Sequence, residues 1–193
     1  GFSSLGLAPE ILRAVEKAGW TSPSAIQAAA IPALLGGGDL VGQSRTGSGK
    51  TGAFVIPAVA RIDPSSPATQ VLVLVPTREL AMQVATEAAR LSAFRKGVRT
   101  VTVFGGASYE RQFADLARGA QIVVGTPGRL VDLLSRGVLD LSAVSMLVLD
   151  EADRMLDMGF AEDVEKILAA TPEGRQTVFF SATFPPAIEG LVR

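Results

Sequence analysis

The sequence predicts an α/β fold: a parallel β-sheet flanked by helices on both faces, with a phosphate-binding loop near its start. Three observations predict it. Six short apolar segments, at 40–41, 71–75, 101–104, 122–124, 146–149 and 178–180, alternate with segments of helical periodicity, which implies parallel strands joined by right-handed crossovers. The five segments after the first read as continuous rather than alternating, with Thr102 the one polar residue among them, as expected of strands buried on both faces. Between the first segment and its helix stands the run Ser44-Arg45-Thr46-Gly47-Ser48-Gly49-Lys50-Thr51, a glycine-rich turn that opens a helix.

Residues 8–18 carry Ile11, Leu12 and Val15 at helical spacing, with Pro9 in the first turn and Gly19 just past the end. A second helix runs to Leu35, where Gly36-Gly37-Gly38 stops it. Further helices are predicted over 52–60, 78–91, 109–117, 128–135 and 161–169. Asp63-Pro64-Ser65-Ser66-Pro67 reads as a surface loop. In open parallel sheets ligands gather at the carboxyl ends of the strands, so chemistry is expected in the segment after each strand.

With 193 residues, 48% of them hydrophobic, the chain suffices for one domain with a large core. A formal net charge of −1 shows no global basic excess, so any nucleic-acid binding must rest on a local patch. The absence of cysteine excludes disulfides and thiolate zinc sites. The absence of histidine excludes Ser-His-Asp and Cys-His catalysis and imidazole-held metals. A metal must then be held by carboxylates, hydroxyls and substrate phosphates, which suits Mg²⁺. No apolar run approaches the roughly 20 residues that cross a bilayer. No signal peptide opens the chain, and a cytoplasmic location without membrane contact is expected. The chain opens on Gly1 rather than Met, as a processed chain or a piece of a longer one does.

In the glycine-rich run, small residues let the backbone curl until successive N–H groups converge on one centre. The helix N-terminus adds a partial positive charge and Lys50 a full one. Thr51 offers a hydroxyl to a Mg²⁺ between the outer phosphates. The strict pattern has Gly where Ser44 stands. A small residue with negative φ turns there equally, so the run reads as a phosphate loop rather than an ordinary helix cap.

The second chemical signal is Val148-Leu149-Asp150-Glu151-Ala152-Asp153, in which an apolar strand delivers carboxylates at its end. In a P-loop enzyme the first such Asp holds Mg²⁺ and the following Glu orients or deprotonates the attacking water. Acids that complement a helix dipole explain one carboxylate comfortably, but not three within four residues after a buried strand.

Asp150-Glu151-Ala152-Asp153 resembles the signature of the DEAD-box ATP-dependent RNA helicases, and further motifs agree in that family's order. The stretch from Gly19 to Gln27 resembles its adenine-reading Q motif, with Phe2 at the upstream aromatic position. Trp20 stands where Phe or Tyr is usual, Ser22 where Lys is common, and Ser44 where Ala is common. The resemblance implies that Gln27 hydrogen-bonds the adenine edge, which a carboxamide can do as donor and acceptor together, and that Phe2 stacks on the adenine face. It implies nucleotide contacts from Trp20, Ser44, Thr46, Gly47, Ser48, Gly49, Lys50 and Thr51, Mg²⁺ held by Thr51 and Asp150, and Glu151 positioning the water. Pro76-Thr77-Arg78-Glu79-Leu80-Ala81 resembles motif Ia, Gly105-Gly106 the double-glycine element, and Thr126-Pro127-Gly128-Arg129-Leu130 motif Ib. Hydroxyls, exposed backbone N–H groups and guanidinium forks suit the RNA backbone, single-stranded or in a duplex, without reading base sequence. Ser181-Ala182-Thr183 resembles motif III, and the resemblance implies that Ser181 and Thr183 couple ATP state to RNA grip through Asp153.

The resemblance runs from Phe2 to Thr183. It implies that residues 1–193 form the amino-terminal RecA-like ATP-binding domain, with a Q-motif region at 1–27. The family's second RecA-like domain, with its arginine fingers, lies outside this chain, which is expected to be monomeric and nearly inactive alone. Two other readings stand beside this one: a P-loop ATPase or kinase acting on a small molecule, and a non-catalytic RNA-binding module.

Overall fold

A computed structural model of the chain describes residues 1–44 and 49–192. A 3-10 turn at Phe2–Leu5 precedes α1 (Pro9–Lys17) and α2 (Ala25–Leu35). Then β1 (Leu40–Gln43), α3 (Lys50–Arg61), β2 (Val71–Leu74), α4 (Arg78–Leu91), β3 (Thr100–Val103), α5 (Tyr109–Ala117), β4 (Ile122–Gly125) and α6 (Pro127–Ser135) alternate. β5 (Met146–Leu149), α7 (Ala152–Asp157), α8 (Ala161–Ala170), β6 (Gln176–Ser181) and α9 (Pro186–Val192) complete the chain. Among the described residues the strands form one six-stranded sheet in the order β1-β6-β5-β2-β4-β3, every pair parallel.

The continuous apolar runs have a direct physical origin. Successive strand side chains point to opposite faces. Val71 and Val73 of β2, Val124 of β4 and Val148 of β5 enter one core with α1 to α4. Leu72 and Leu74, Val123 and Leu149 enter a second core with α6 to α9. Every residue of β2, β4 and β5 is therefore buried. β1 and β3 lie at the sheet edges, and there burial alternates. Thr100 and Thr102 are the half-exposed members of β3.

Helix boundaries follow local chemistry. Ser24 and Gln27 form a capping box at the start of α2. The Thr77 and Ser108 hydroxyls accept from the backbone of the first turns of α4 and α5. α3 passes through Pro57, a residue that costs about 3 kcal/mol in a helix interior. Burial of every residue from Gly52 to Val59 offsets that cost. The 3-10 turn, α7 and α9 are not anticipated by the sequence pattern; α7, of six residues, is too short for its periodicity to register. Among the described residues no helix is long and apolar enough to cross a membrane.

α6 begins immediately after β4, and Gly125 makes that turn possible. A Cβ there would lie 2.6 Å from the Val103 carbonyl oxygen and 2.9 Å from Leu130 Cγ. Backbone cannot move aside as a flexible side chain does. Gly125→Ala is expected to cost about 1–3 kcal/mol in urea unfolding. Gly105→Ala, where nothing lies within 4 Å of the added carbon, is the matched control and should cost far less.

Candidate functional site

Parallel strands present all their carboxyl ends along one edge of the sheet. The strand order lays the following segments side by side: the glycine-rich run after β1, Ser181–Thr183 at the end of β6, Asp150-Glu151 after β5, Pro76-Thr77 after β2, Thr126 after β4 and Gly105-Gly106 beyond β3. The motifs thus divide into a phosphate-loop end and an opposite end of hydroxyls, glycines and arginines.

At the first end, Gly49 adopts a left-handed conformation, φ 84°, and caps α3. A Cβ at Gly49 would lie 2.7 Å from Ser24 Oγ, so glycine is required on two counts. Thr46, Gly47 and Ser48 lie outside the described residues. Lys50 begins α3 with its side chain buried, and its Nζ lies 2.9 Å from Asp150 Oδ1 and 3.7 Å from Glu151 Oε2. Asp150 is fully buried, yet neither of its carboxylate oxygens accepts a hydrogen bond among the described residues. The Lys50 contact has the length of a hydrogen bond without its angles, and acts as an ion pair. Burial pushes the Asp150 carboxyl above its usual range, with the Lys50 ammonium opposing the shift.

Two unsatisfied carboxylate oxygens in a closed site are the environment a hard divalent cation requires. Among the described residues no three acidic side chains are placed to hold a metal ion together. The groups that could serve as donors are Asp150 and the Thr51 hydroxyl together with the oxygens of a bound phosphate, a hard-oxygen set of the kind Mg²⁺ takes. Glu151 takes φ 53° and ψ 50°, the single non-glycine residue at positive φ among the described residues. Such a conformation costs about 1–2 kcal/mol and directs this side chain away from the course of α7. Glu151 lines a cavity of about 560 Å³ with Ser44, Lys50, Asp153, Arg154, Asp157 and Ala182.

A second cavity, of about 660 Å³, opens on the other side of Lys50. One wall is Trp20, Gln27 and the segment Gly49 to Gly52, and the other is a face of α4. Gln27 already uses its carboxamide in both senses: Nε2 donates to the Gly49 carbonyl at 3.1 Å, and Oε1 accepts from Ser24 N–H at 3.0 Å. One N–H and one lone pair remain. Phe2 is 5% exposed, packed in the core with its ring centroid 6.3 Å from that of Trp20, and Trp20 rather than Phe2 lines the cavity.

Asp153, Ser181 and Thr183 come together as one network. The Thr183 hydroxyl and backbone N–H both donate to Asp153 Oδ2, at 2.9 and 3.2 Å. Asp153 N–H donates to Ser181 Oγ at 3.2 Å, and Ser181 Oγ donates to the Thr183 carbonyl at 2.6 Å. Partial burial raises the Asp153 carboxyl, but hydrogen bonding, led by the Thr183 hydroxyl and joined by the Thr183 and Arg154 N–H groups, outweighs it and holds the carboxyl below its usual range. Ser44 N–H donates to the Ser181 carbonyl at 3.2 Å, so the network touches the first residue of the phosphate loop.

At the opposite end, Pro76 and Pro127 are buried, while Arg78, Gly105, Gly106 and Gly128 are exposed. Thr77 caps α4, and its hydroxyl accepts from Leu80 N–H at 3.2 Å. Thr126 is the N-cap of α6 without a side-chain cap bond. The Arg78 guanidinium lies 5.1 Å from the Phe104 ring centroid, and that of Arg129 lies 4.0 Å from the Tyr109 centroid. Arg129 is half-buried and held, whereas Arg78 is exposed beside its ring. The sequence pattern did not single out Tyr109, Gln112, Arg154, Asp157 or the α4 wall, where Glu79 of the motif Ia segment joins Met82, Gln83, Thr86 and Glu87. The α4 set has the spacing of one helical face, which is its only local signal.

A parallel sheet with a glycine-rich loop after β1 and acidic residues after β5 is a RecA-like P-loop architecture. A family model described as DEAD/DEAH box helicase matches residues 24–191, and the chain belongs to that family. It is 56% identical over 190 residues to the ATP-dependent RNA helicase DeaD of Mycobacterium tuberculosis (strain H37Rv), covering 98% of this chain and 34% of that protein. It is 55% identical over 192 residues to DeaD of Escherichia coli K12, covering 100% of this chain and 30% of that protein. The crystal structure of a DEAD box protein from Methanococcus jannaschii superposes with a TM-score of 0.94 at 42% identity, over 99% of this chain and 52% of that one. The chain spans about a third of the length of the curated relatives it matches.

Proposed function

We propose that residues 1–193 are the amino-terminal RecA-like domain of an ATP-dependent RNA helicase. In this reading the domain binds Mg·ATP and RNA, and hydrolyses ATP to ADP and phosphate to unwind short duplexes when joined to a second RecA-like domain. One observation carries the reading. Lys50 contacts Asp150 and Glu151, Asp153 is joined through Ser181 to Ser44, and Ser44, Lys50, Glu151 and Asp153 line one cavity, so the groups suited to phosphate and to coupling face the same space. The relatives named as ATP-dependent RNA helicases support it.

Lys50 and the loop amides, including those of Thr46, Gly47 and Ser48, stabilise charge on the transferring phosphoryl group. Glu151 orients the attacking water and accepts its proton. Mg²⁺, held by Thr51 and Asp150 directly or through water, supplies charge neutralisation at the phosphate oxygens. Gln27 offers its remaining N–H and lone pair to the adenine edge, with Trp20 as the aromatic surface and Phe2 packed behind it in the core. Pro76, Thr77, Arg78, Gly105, Gly106, Thr126, Pro127, Gly128 and Arg129 hold the RNA backbone without reading bases. Asp153, Ser181 and Thr183 transmit the ATP state to that surface. The second domain supplies arginine fingers, typically worth about 10³–10⁵ in rate, so this domain alone binds nucleotide and turns it over very slowly.

The test is ATP hydrolysis by this chain and by the full-length protein, without RNA and with single- and double-stranded RNA. RNA should stimulate the full-length protein and leave the isolated chain near background. Hydrolysis in the full-length protein that ignores RNA, or transfer of the phosphoryl group to a small molecule, would overturn the reading.

A further inference from the structure

Arg129 sits in the first turn of α6 and reaches back to the segment after β3. Its Nη1 donates to the Ala107 carbonyl at 3.2 Å and to Gln112 Oε1 at 3.0 Å. Gln112 is 4% exposed, and its Nε2 donates to the Phe104 carbonyl at 3.1 Å. Both ends of the carboxamide are thereby specified, and its orientation is fixed. The Tyr109 ring covers the Arg129 guanidinium at 4.0 Å and that of Arg136 at 4.5 Å. The Tyr109 hydroxyl donates to Asp132 Oδ2, while Asp132 Oδ1 accepts from Arg136 Nε at 3.0 Å. Phe113 meets the ring edge-on at 5.8 Å, so Tyr109 is held on several sides.

We propose that Tyr109 and Gln112 are positioning residues that set the Arg129 guanidinium for capture of an RNA phosphate, an inference that rests on the RNA-binding reading of Arg129. A guanidinium carries five N–H donors, and the two on Nη1 are consumed by Ala107 and Gln112. The fork of Nη2 and Nε remains, which is the geometry that binds phosphate bidentately. Stacking on Tyr109 and the Gln112 bond remove the rotational freedom that an arginine otherwise loses on binding. The same contacts tie the segment carrying Gly105-Gly106 to the start of α6, so the phosphate contacts expected of the two segments are aligned by one ring and one carboxamide. Neither residue belongs to the motifs that carry the family resemblance.

The experiment is RNA binding by the full-length protein in the presence of a non-hydrolysable ATP analogue, measured by anisotropy with a single-stranded oligonucleotide across a KCl series. Variants are Tyr109→Phe, Tyr109→Ala, Gln112→Leu, Arg129→Ala and the Tyr109→Ala/Arg129→Ala pair. Tyr109→Ala and Gln112→Leu are expected to weaken RNA binding about tenfold, roughly 1.4 kcal/mol. Each should lower the salt slope by up to about 0.7, the signature of one lost phosphate contact on a single strand, with nucleotide affinity unchanged. Tyr109→Phe, which keeps the ring, should retain most of the affinity. In the Arg129→Ala background, Tyr109→Ala should add nothing. Additive losses, or a weakened affinity with an unchanged salt slope, would overturn this inference and leave the RNA-binding role of Arg129 standing. An Arg129→Ala variant that binds RNA normally would overturn both. Should Tyr109→Ala fail to fold, Gln112→Leu and Tyr109→Phe give the same decision.

Discussion

Glu151→Gln in the full-length protein is expected to lower the rate of ATP hydrolysis about 10²–10⁴-fold while leaving ATP affinity nearly unchanged. The amide matches the carboxylate in shape and keeps a hydrogen bond to water, but cannot take a proton. Oε2 of Glu151 lies 3.7 Å from Lys50 Nζ and Oε1 lies 4.0 Å from Arg154 Nη1, so the side chain stands among charged groups at the cavity wall. Its backbone sits at φ 53°, where glycine would be at ease and glutamate is strained. Glu151→Gly therefore separates two roles. It should relieve about 1–2 kcal/mol of backbone cost, stabilising the fold, and it should abolish turnover as Glu151→Gln does. Single-turnover hydrolysis with a separate nucleotide titration checks both variants. Undiminished hydrolysis in either would remove Glu151 from the mechanism.

Lys50→Met is expected to destabilise the nucleotide-free protein by about 3–5 kcal/mol near pH 8, and by less near pH 5. Methionine preserves the stem of Lys50 but leaves Asp150 fully buried with no counter-charge. Burial already raises the folded-state pKa of Asp150, and Lys50 opposes it. The sign follows from proton linkage. A carboxyl whose folded pKa lies above its unfolded value of about 3.9 holds its proton longer in the folded state. Stability falls as pH rises from the unfolded value through the folded one, then levels off. Removing Lys50 widens that interval, so the penalty grows between pH 5 and pH 8. Adding Asp150→Asn should recover much of the loss, because no charge then remains buried. Urea unfolding at both pH values checks this. An equal loss at the two pH values, with no rescue by Asp150→Asn, would show that Lys50 stabilises by packing alone. ATP binding should be lost at either pH, since the Lys50 ammonium is the charge this domain's phosphate loop is proposed to place on the phosphates.

Much of this was legible along the chain. The strands at 71–75, 122–124 and 146–149 stand out because each serves two cores at once and so tolerates no polar residue. The strand near 101–104 is legible too, and Thr100 and Thr102 are the half-exposed positions that mark it as an edge. Lys50, Asp150 and Glu151 are legible because phosphate binding and carboxylate delivery each need a short contiguous segment. Gln112 and Tyr109 are not. Gln112 meets Arg129 across 17 positions, and its burial is decided by the approach of α6 to the end of β3 rather than by neighbours in sequence. The α7 helix escapes because six residues carry too little periodicity, and because it is launched by a left-handed Glu151 that no propensity predicts.

By itself the sequence determined the elements and the local chemistry: which segments are strands, where phosphate would be gripped, which acids accompany it. Those depend on periodicity and on contiguous side chains. The tertiary structure decided which of them are neighbours. The strand order β1-β6-β5-β2-β4-β3 sets Ser181–Thr183 between the phosphate loop and Asp150-Glu151, although in the chain it comes last of the three. It brings Ser44 against Ser181 and Asp153 against Thr183, contacts that span 137 and 30 residues. Such adjacency is fixed by how two cores are filled on the two faces of one twisted sheet, a condition met by the whole chain together and written in no single segment of it.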